Sequence, residues 1–388
     1  MQLVRRGYRT RVVLDSRGVL SDDLNYVLDT ESRSLDSKEA YEKTRQMLKD
    51  IRLACFDFII KKVDSTLRGN IAAETKAVDE AYKSELILLM PAYPDMNRTT
   101  KGGIHYLNGV RITETELAHD PKTPVREDRL NKIMEEFFDE PVRSITLEQI
   151  RNEDISFSGA RIFCCDAQTN IDMQQVIGAA LDTGKRILWV GTAALADNLL
   201  LRSTTVPPAL AVVASVSDVA RMQVRFAADA AEVVQVSIGD ILLGDRSETH
   251  PVEEAVAFLH QGKDVLLISA STWSRDKLDS SIAAGKQAGM DAKAVSQRTQ
   301  ELMGSITKAV LKRTQVSGLF ISGGDTAISV FEKLGAAGSQ ILGEVLAGIP
   351  LMRLSGGEFD GMKVITKAGA FGREDAISFC LRKLKEKL

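Results

Sequence analysis

The feature that most constrains the fold of this chain is a regular alternation of short apolar runs with segments of helical periodicity. LILLM (residues 86–90), IFCC (162–165) and ILWV (187–190) have the length and composition of buried strands. Between such runs lie segments with apolar residues at three- and four-residue spacing, for example residues 37–51 and 171–184. This alternation predicts an α/β fold built from largely parallel sheets flanked by helices.

The chain is expected to form two domains. At roughly 150 residues per domain, 388 residues are too many for one ordinary core. Hydrophobic residues make up 44% and charged residues 27%, which is typical of folded domains and excludes a disordered chain. The only Pro-Pro pair, Pro207 with Pro208, separates two periodic blocks. We therefore predict domains over residues 1–206 and 207–388, each with its own sheet.

Composition also excludes several classes of partner. The 50 basic and 53 acidic residues leave a net charge of −3, without a dense basic block, so nucleic acid is not an expected partner. No apolar run approaches the ~20 residues that a membrane helix needs. The histidines are too scattered for a metal site, and the cysteines show no CxxC spacing. Without an apolar signal segment at its start, the protein is expected to be cytoplasmic.

Two glycine turns late in the chain are candidate phosphate sites. Gly323 and Gly324 follow a buried run and precede a helical segment that begins with Asp325 and Thr326. Amides at such a helix start are unpaired and attract anions. The stretch KAGAFG repeats the pattern around Gly369. Either turn could instead be a tight connection without a ligand. The Walker A and GxGxxG patterns are absent, so a nucleotide would use another loop chemistry.

The stretch KKVDSTLRGN (residues 61–70) is the densest polar cluster in the first half. It follows a predicted strand, and ligands of open parallel sheets bind at the carboxyl ends of the strands. Arg68 can hold a carboxylate through two parallel hydrogen bonds, while Asp64 and the hydroxyl groups suit a polyol. The alternative is that Asp64 or Ser65 caps the next helix.

Two further positions carry open alternatives. Residues 91–109 are predicted to be a long polar loop, which either serves a site or is a surface excursion. Asp166 follows the IFCC strand, and we expect it to cap the next helix rather than to face a cleft. At least one of Cys164 and Cys165 is expected to be buried in that strand, and neither is expected to be a nucleophile.

These stretches resemble the four-carbon acid sugar kinases, a family that phosphorylates erythronate- or threonate-type acids with ATP. The resemblance runs along nearly the whole chain. The matching segments are KKVDSTLRGN, residues 91–109 and 114–125, DAQT (166–169), GTAALA (191–196), SGGDT (322–326) and KAGAFG (367–372).

By this resemblance the first domain holds the sugar acid and the second holds ATP. Mg²⁺ is expected with ATP because it screens the charge of the phosphates. From the chemistry of the polar cluster, we expect Asp64 to accept the hydroxyl proton and Arg68 to hold the carboxylate. Substrate contacts are expected from Lys62, Ser65, Thr66, Asn97 and Arg98. Nucleotide contacts are expected from Ser215, Gly323, Gly324, Asp325, Thr326 and Gly369. Self-association into a homo-oligomer stays open.

The family usually begins with a strand and an Asp-Asp-x-Thr-Gly-Ala loop, and this chain starts after that point. Residues 21–23 contain two aspartates but lack Thr-Gly-Ala. We expect TRVVLDS (residues 10–16) to be a strand within the fold, and the chain as given to be poorly soluble and nearly inactive. The alternative to a kinase is a relative that binds ligands without turnover. A nicotinamide dehydrogenase is disfavoured because the dinucleotide fingerprint is absent.

Overall fold

The computed structural model describes residues 1–15, 24–203 and 206–387, so residues 21–23 lie outside it. The chain divides into two compact units, Met1–Thr205 and Val206–Lys387. Both are α/β units with sheets flanked by helices, which confirms the predicted fold class. No described helix is both long enough and apolar enough to cross a membrane.

The first unit contains ten strands and seven helices among its described residues. The strands are β1 (Thr10–Val13), β2 (Asn25–Leu28), β3 (Ile59–Lys62), β4 (Leu86–Met90), β5 (Arg98–Lys101), β6 (Ile104–Leu107), β7 (Val110–Arg111), β8 (Val142–Ile145), β9 (Ile162–Cys165) and β10 (Ile187–Gly191). The helices are α1 (Gln2–Arg5), α2 (Ser37–Leu48), α3 (Ile71–Tyr82), α4 (Leu130–Glu135), α5 (Leu147–Arg151), α6 (Asn170–Leu181) and α7 (Ala193–Ser203).

Five of these strands form an all-parallel sheet in the order β3-β10-β4-β9-β8. Its central strand β4 is buried along its whole length, with Ile87 and Leu89 in one core cluster and Leu88 in the other. This explains why the run LILLM is apolar at every position, since both faces of a parallel sheet are covered by other elements. Cys164 and Cys165 of β9 are both buried, one in each cluster.

Two small sheets of this unit differ from the sequence prediction. Residues 91–109 were expected to be a loop, but they contain β5 and β6, which form an antiparallel sheet with β7. The strand predicted within residues 10–16 forms as β1, which among the described residues pairs with β2 in a separate two-stranded parallel sheet. Val13 is buried, whereas Val12 is 64% exposed, so β1 lies outside the five-stranded sheet.

The second unit contains seven strands and eight helices. The strands are β11 (Leu210–Val213), β12 (Glu232–Val236), β13 (Val265–Ser269), β14 (Leu319–Ser322), β15 (Gly338–Leu346), β16 (Ile349–Ser355) and β17 (Lys363–Lys367). The helices are α8 (Asp218–Ala227), α9 (Ile238–Leu243), α10 (Thr249–His260), α11 (Ala270–Trp273), α12 (Arg275–Gln287), α13 (Ala292–Leu311), α14 (Gly324–Leu334) and α15 (Ala376–Leu384).

All seven strands form one sheet in the order β12-β13-β11-β14-β17-β16-β15. The first five are parallel, and the β15–β16 hairpin joins β17 in antiparallel register. The hairpin was not predicted, because β15 is exposed along most of its length and shows no alternation of buried and exposed positions. As a result β11, β14 and β17 are neighbours, and their carboxyl ends meet at one edge.

Candidate functional site

The carboxyl ends of β11, β14 and β17 bring three predicted nucleotide contacts to one edge of the second sheet. Ser215 follows β11, Gly323 follows β14 and Gly369 follows β17. The three segments touch: the amide of Gly323 donates to the carbonyl of Lys367 over 2.8 Å. The Ser217 hydroxyl donates to the carbonyl of Gly369 over 3.0 Å. Segments far apart in sequence thus form one loop cluster, as expected for a ligand site at such an edge.

The first glycine turn has the geometry predicted for an anion site. Gly323 has φ of +113°, a conformation that favours glycine, and it is the N-cap of α14 without a capping side chain. A Cβ atom added to Gly324 would meet nothing within 4 Å, so there is open space beside the first turn of α14. Asp325 is exposed and Thr326 is buried. The uncapped amides and the helix dipole together favour a negatively charged ligand here.

The second glycine turn differs from the prediction. We expected it to open directly into a helix, but α15 begins only at Ala376, seven residues after Gly369. Residues 368–373 form a loop in which a Cβ atom at Gly369 would lie 2.4 Å from the Ser215 Oγ. A side chain at position 369 would therefore force the Ser215 side chain to move, because the loop passes directly against the residues that follow β11.

Sequence reasoning missed the residue that holds this loop. Lys367, the last residue of β17, is 2% exposed, and its Nζ donates to the carbonyls of Ala368, Gly369 and Phe371 over 3.0 to 3.1 Å. Burial lowers the pKa of this lysine to about 8. A lysine that ends an apolar strand directly before a glycine loop was the available signal. We had read it only as part of the KAGAFG stretch.

In the first unit, residues 63–70 form a tight loop after β3 that is organised by ion pairs. The Asp64 carboxylate lies 2.9 Å from the Arg68 Nε, and Arg68 also reaches Asp120 at 3.4 Å. Asp120 belongs to the segment 114–125, so two of the matching segments meet here. The helix-cap alternative is wrong, because the N-cap of α3 is Asn70 and neither Asp64 nor Ser65 caps this helix.

Side chains of this loop differ in what surrounds them. Thr66 is buried, and its hydroxyl oxygen accepts a hydrogen bond from the Arg68 Nε over 3.1 Å. Lys62 is exposed at the end of β3, whereas the preceding Lys61 pairs with the buried Glu74 at 2.5 Å. Lys62 can therefore reach a ligand, while Lys61 is occupied within the protein.

The small sheet of β5, β6 and β7 contacts the same loop through His105. Its Nε2 donates to the carbonyl of Ser65 over 3.0 Å, and its Nδ1 lies 3.1 Å from the Thr100 hydroxyl. Burial lowers the pKa of His105 to about 4, so the ring is neutral near pH 7. Asn97, exposed and with φ of +55°, precedes β5, and Arg98 is the first residue of that strand.

Arg98 differs from Arg68 in having no carboxylate partner among the described residues. Its Nη1 donates to the Met96 carbonyl. Its Nε is buried without a hydrogen-bond partner in the described part of the chain. A buried, unpaired guanidinium nitrogen is costly unless a ligand satisfies it.

Asp166 does not cap the helix that follows it, contrary to our prediction. Thr169 caps α6, whereas the Asp166 carboxylate accepts the amides of Gly102 at 2.7 Å and Gly103 at 2.9 Å. Asp166 is 1% exposed. It therefore fixes the β5–β6 turn to the end of β9, and thereby orients the strand that carries Arg98.

Comparisons with known proteins match both units. Residues 1–199 match a family model described as a sugar-binding N-terminal domain, and residues 210–377 match one described as a nucleotide-binding C-terminal domain. A D-threonate kinase from Salmonella typhimurium is 31% identical over the whole of this chain and 95% of its own. A D-erythronate kinase from Heliobacterium modesticaldum is 26% identical over the whole of this chain and 94% of its own.

A solved structure is also similar. It is a domain of unknown function from Bordetella bronchiseptica, with bound citrate, described as a domain-swapped dimer. The likeness has a TM-score of 0.63 and 26% identity, and it covers all of this chain and 94% of the other.

Proposed function

Since the chain belongs to the four-carbon acid sugar kinase family, we propose that it transfers the γ-phosphoryl group of ATP to the terminal hydroxyl of a threonate- or erythronate-type acid. In this reaction the bond from the γ-phosphorus to its bridging oxygen breaks, and a bond from the hydroxyl oxygen to that phosphorus forms. The relatives support this substrate class, since they are named threonate, erythronate and 3-oxo-tetronate kinases.

The observation that carries the proposal is the loop cluster at the ends of β11, β14 and β17. It combines an uncapped helix start at Gly324 with a second glycine loop at Gly369, and the two are joined through Lys367. Phosphoryl transfer depends mainly on positioning and charge neutralisation, which amide-rich turns provide. We assign the ATP phosphates to this cluster, with Ser215 and Thr326 beside them.

Mg²⁺ is proposed to enter with the nucleotide. Within the described residues, no group of three or more His, Cys, Asp or Glu side chains could hold a metal ion. Phosphate oxygens and water would then supply most of its ligands, as is common for Mg²⁺ in kinases. Asp325, the acidic residue in the first turn of α14, would supply a carboxylate. The ion would neutralise charge on the phosphates.

For the sugar acid, we propose that Arg98 binds the carboxylate and that Asp64 accepts the hydroxyl proton. Arg68 is already occupied by two carboxylates, so it is better placed to orient Asp64 than to hold a substrate anion. Lys62, Ser65, Thr66 and Asn97 are proposed to contact the hydroxyl groups. The similar Bordetella protein binds citrate, itself a hydroxylated carboxylate, which supports an anionic ligand.

The test is ADP formation by the full chain with ATP, Mg²⁺ and a panel of D- and L-threonate and erythronate. The matching neutral alditols serve as controls. The sequence alone led us to expect near-background activity, but the loops proposed to bind both substrates are formed. We therefore expect turnover with at least one acid and none with the alditols. Gly324→Val should lower kcat/KM for ATP about tenfold or more by covering the amides. The control variant Gly338→Val, at an equally open position on β15, should leave kcat/KM for ATP unchanged. Absence of acid-dependent ADP formation would overturn the proposal.

We also propose that the protein is a homo-oligomer. The similar Bordetella structure is a domain-swapped dimer, and β15 here is an edge strand on which Ile341 is 70% exposed. Exposed apolar edge strands readily pair with a second chain. Light scattering should give a multiple of the 42.4 kDa chain mass, and a monomer at all concentrations would contradict this.

A further inference from the structure

The loop at residues 368–373 is held from inside by two side chains that bind only its carbonyl groups. Lys367 donates to the carbonyls of Ala368, Gly369 and Phe371. The Gln223 Nε2, on α8 and fully buried, donates to the carbonyls of Phe371, Gly372 and Arg373 over 2.9 to 3.1 Å. Five carbonyl groups of one short loop therefore point toward the protein interior.

This arrangement determines where the amide groups point. In a trans peptide the N–H group points opposite to the carbonyl of the preceding residue. The N–H groups of Gly369, Ala370 and Gly372 therefore point away from Lys367 and Gln223. None of the three donates a hydrogen bond to another described residue. Successive outward amides of this kind form a concave site for anions.

The charge of Lys367 acts in the same direction. Its ammonium is buried and has no carboxylate within 4 Å among the described residues. A buried charge is costly unless it is compensated, and an anion bound on the outer side of the loop would provide that compensation. If Lys367 had only a structural role, a carboxylate partner would stabilise its charge equally well. Lys367 is instead surrounded by carbonyl groups of the loop, and the amide groups of the same loop point to the outer side.

We propose that Lys367 is a positioning residue for the nucleotide, which together with Gln223 turns the 368–373 loop so that the amides of Gly369, Ala370 and Gly372 receive a phosphate group of ATP. This inference rests on the proposed kinase function. Because the Lys367 carbonyl also accepts the amide of Gly323, the same residue sets the spacing between the two glycine loops.

The test compares Lys367→Met with Lys363→Met, using calorimetric titration of the full chain with ATP. Lys363 lies on the same strand and also donates to backbone carbonyls, those of Leu384 and Glu386, but at the opposite end of β17. We expect Lys367→Met to weaken ATP binding about tenfold or more, with the KM for the sugar acid unchanged. Lys363→Met should lower the melting temperature without this loss.

A second measurement, the pH dependence of ATP affinity, uses only the wild-type protein. Since the pKa of Lys367 is about 8, the wild-type protein should lose ATP affinity between pH 7.5 and about 9.5. Over this range the ammonium loses a proton, and with it the positive charge and one hydrogen-bond donor. Phosphate charge is constant there, because the last ionisation of a phosphate group lies near pH 6. Facing Lys367, Cys380 of α15 has its pKa raised to about 12 by burial and stays neutral, as does Gln223 of α8.

The outcomes separate the two proposals. Wild-type protein that binds no ATP would overturn the proposed function and this inference with it. Wild-type protein that binds ATP without loss in Lys367→Met, or with an equal loss in Lys363→Met, would overturn the inference alone. If Lys367→Met does not fold, ATP affinity of the wild-type protein that stays constant from pH 7.5 to 9.5 would overturn it as well.

Discussion

At the scale of single residues, two arginines near one loop differ in their partners, and this difference assigns them different roles. Arg68 contacts Asp64 and Asp120, whereas Arg98 has a buried Nε without a partner among the described residues. A paired guanidinium gains little from a further carboxylate, whereas an unpaired one gains both charge and hydrogen bonds. Arg98 is therefore the stronger candidate for recognising an acid.

This assignment predicts different kinetics for two conservative variants. Arg98→Lys should raise the KM for the sugar acid about tenfold or more, because lysine lacks the planar pair of donors. Arg68→Lys should mainly lower kcat, because Asp64 loses its orientation. Steady-state kinetics on the preferred acid measures both effects. If Arg68→Lys raises the KM for the acid and Arg98→Lys does not, our original assignment of Arg68 as the carboxylate clamp is the better one.

At the scale of secondary-structure elements, the sequence predicted the buried parallel strands well. β4, β9, β10, β11, β13 and β14 are buried at every position, and their composition shows this directly. The exposed strands were missed, because β5 to β7 and β15 form through hairpin pairing with the adjoining strands rather than through an apolar pattern of their own.

The candidate site shows the same limit. Glycine turns and polar clusters after strands were visible in the sequence, since they follow apolar runs directly. The bonds of Asp166 to Gly102 and Gly103 were not, because they join residues more than sixty positions apart. Neither was the pairing of Arg68 with Asp120, which left the role of Arg68 open to more than one reading.

At the scale of the whole molecule, each unit has its own sheet and its own core clusters on both faces of that sheet. A unit with a complete core can fold by itself. The proposed phosphate contacts all lie in the second unit, at the ends of three neighbouring strands.

We therefore predict that a fragment comprising residues 206–388 folds cooperatively and binds ATP with an affinity comparable to that of the full chain, without turning it over. Circular dichroism with thermal unfolding would establish folding, and calorimetric titration would measure binding. The fragment of residues 1–205, titrated in parallel, should bind no ATP. A folded 206–388 fragment with no affinity for ATP would contradict the assignment of the nucleotide site to this unit.

The distribution of cysteines has a practical consequence. Cys55 is exposed, whereas Cys164 and Cys165 lie inside β9 and Cys380 lies inside α15, and burial raises the pKa of all three buried thiols. A thiol reagent at neutral pH therefore modifies Cys55 in the native protein and reaches the other three only when their surroundings open. β9 belongs to one unit and α15 to the other. The reaction rates of the buried thiols therefore measure the opening of each unit separately. The native chain thus carries its own reporters of local unfolding, without any introduced label site.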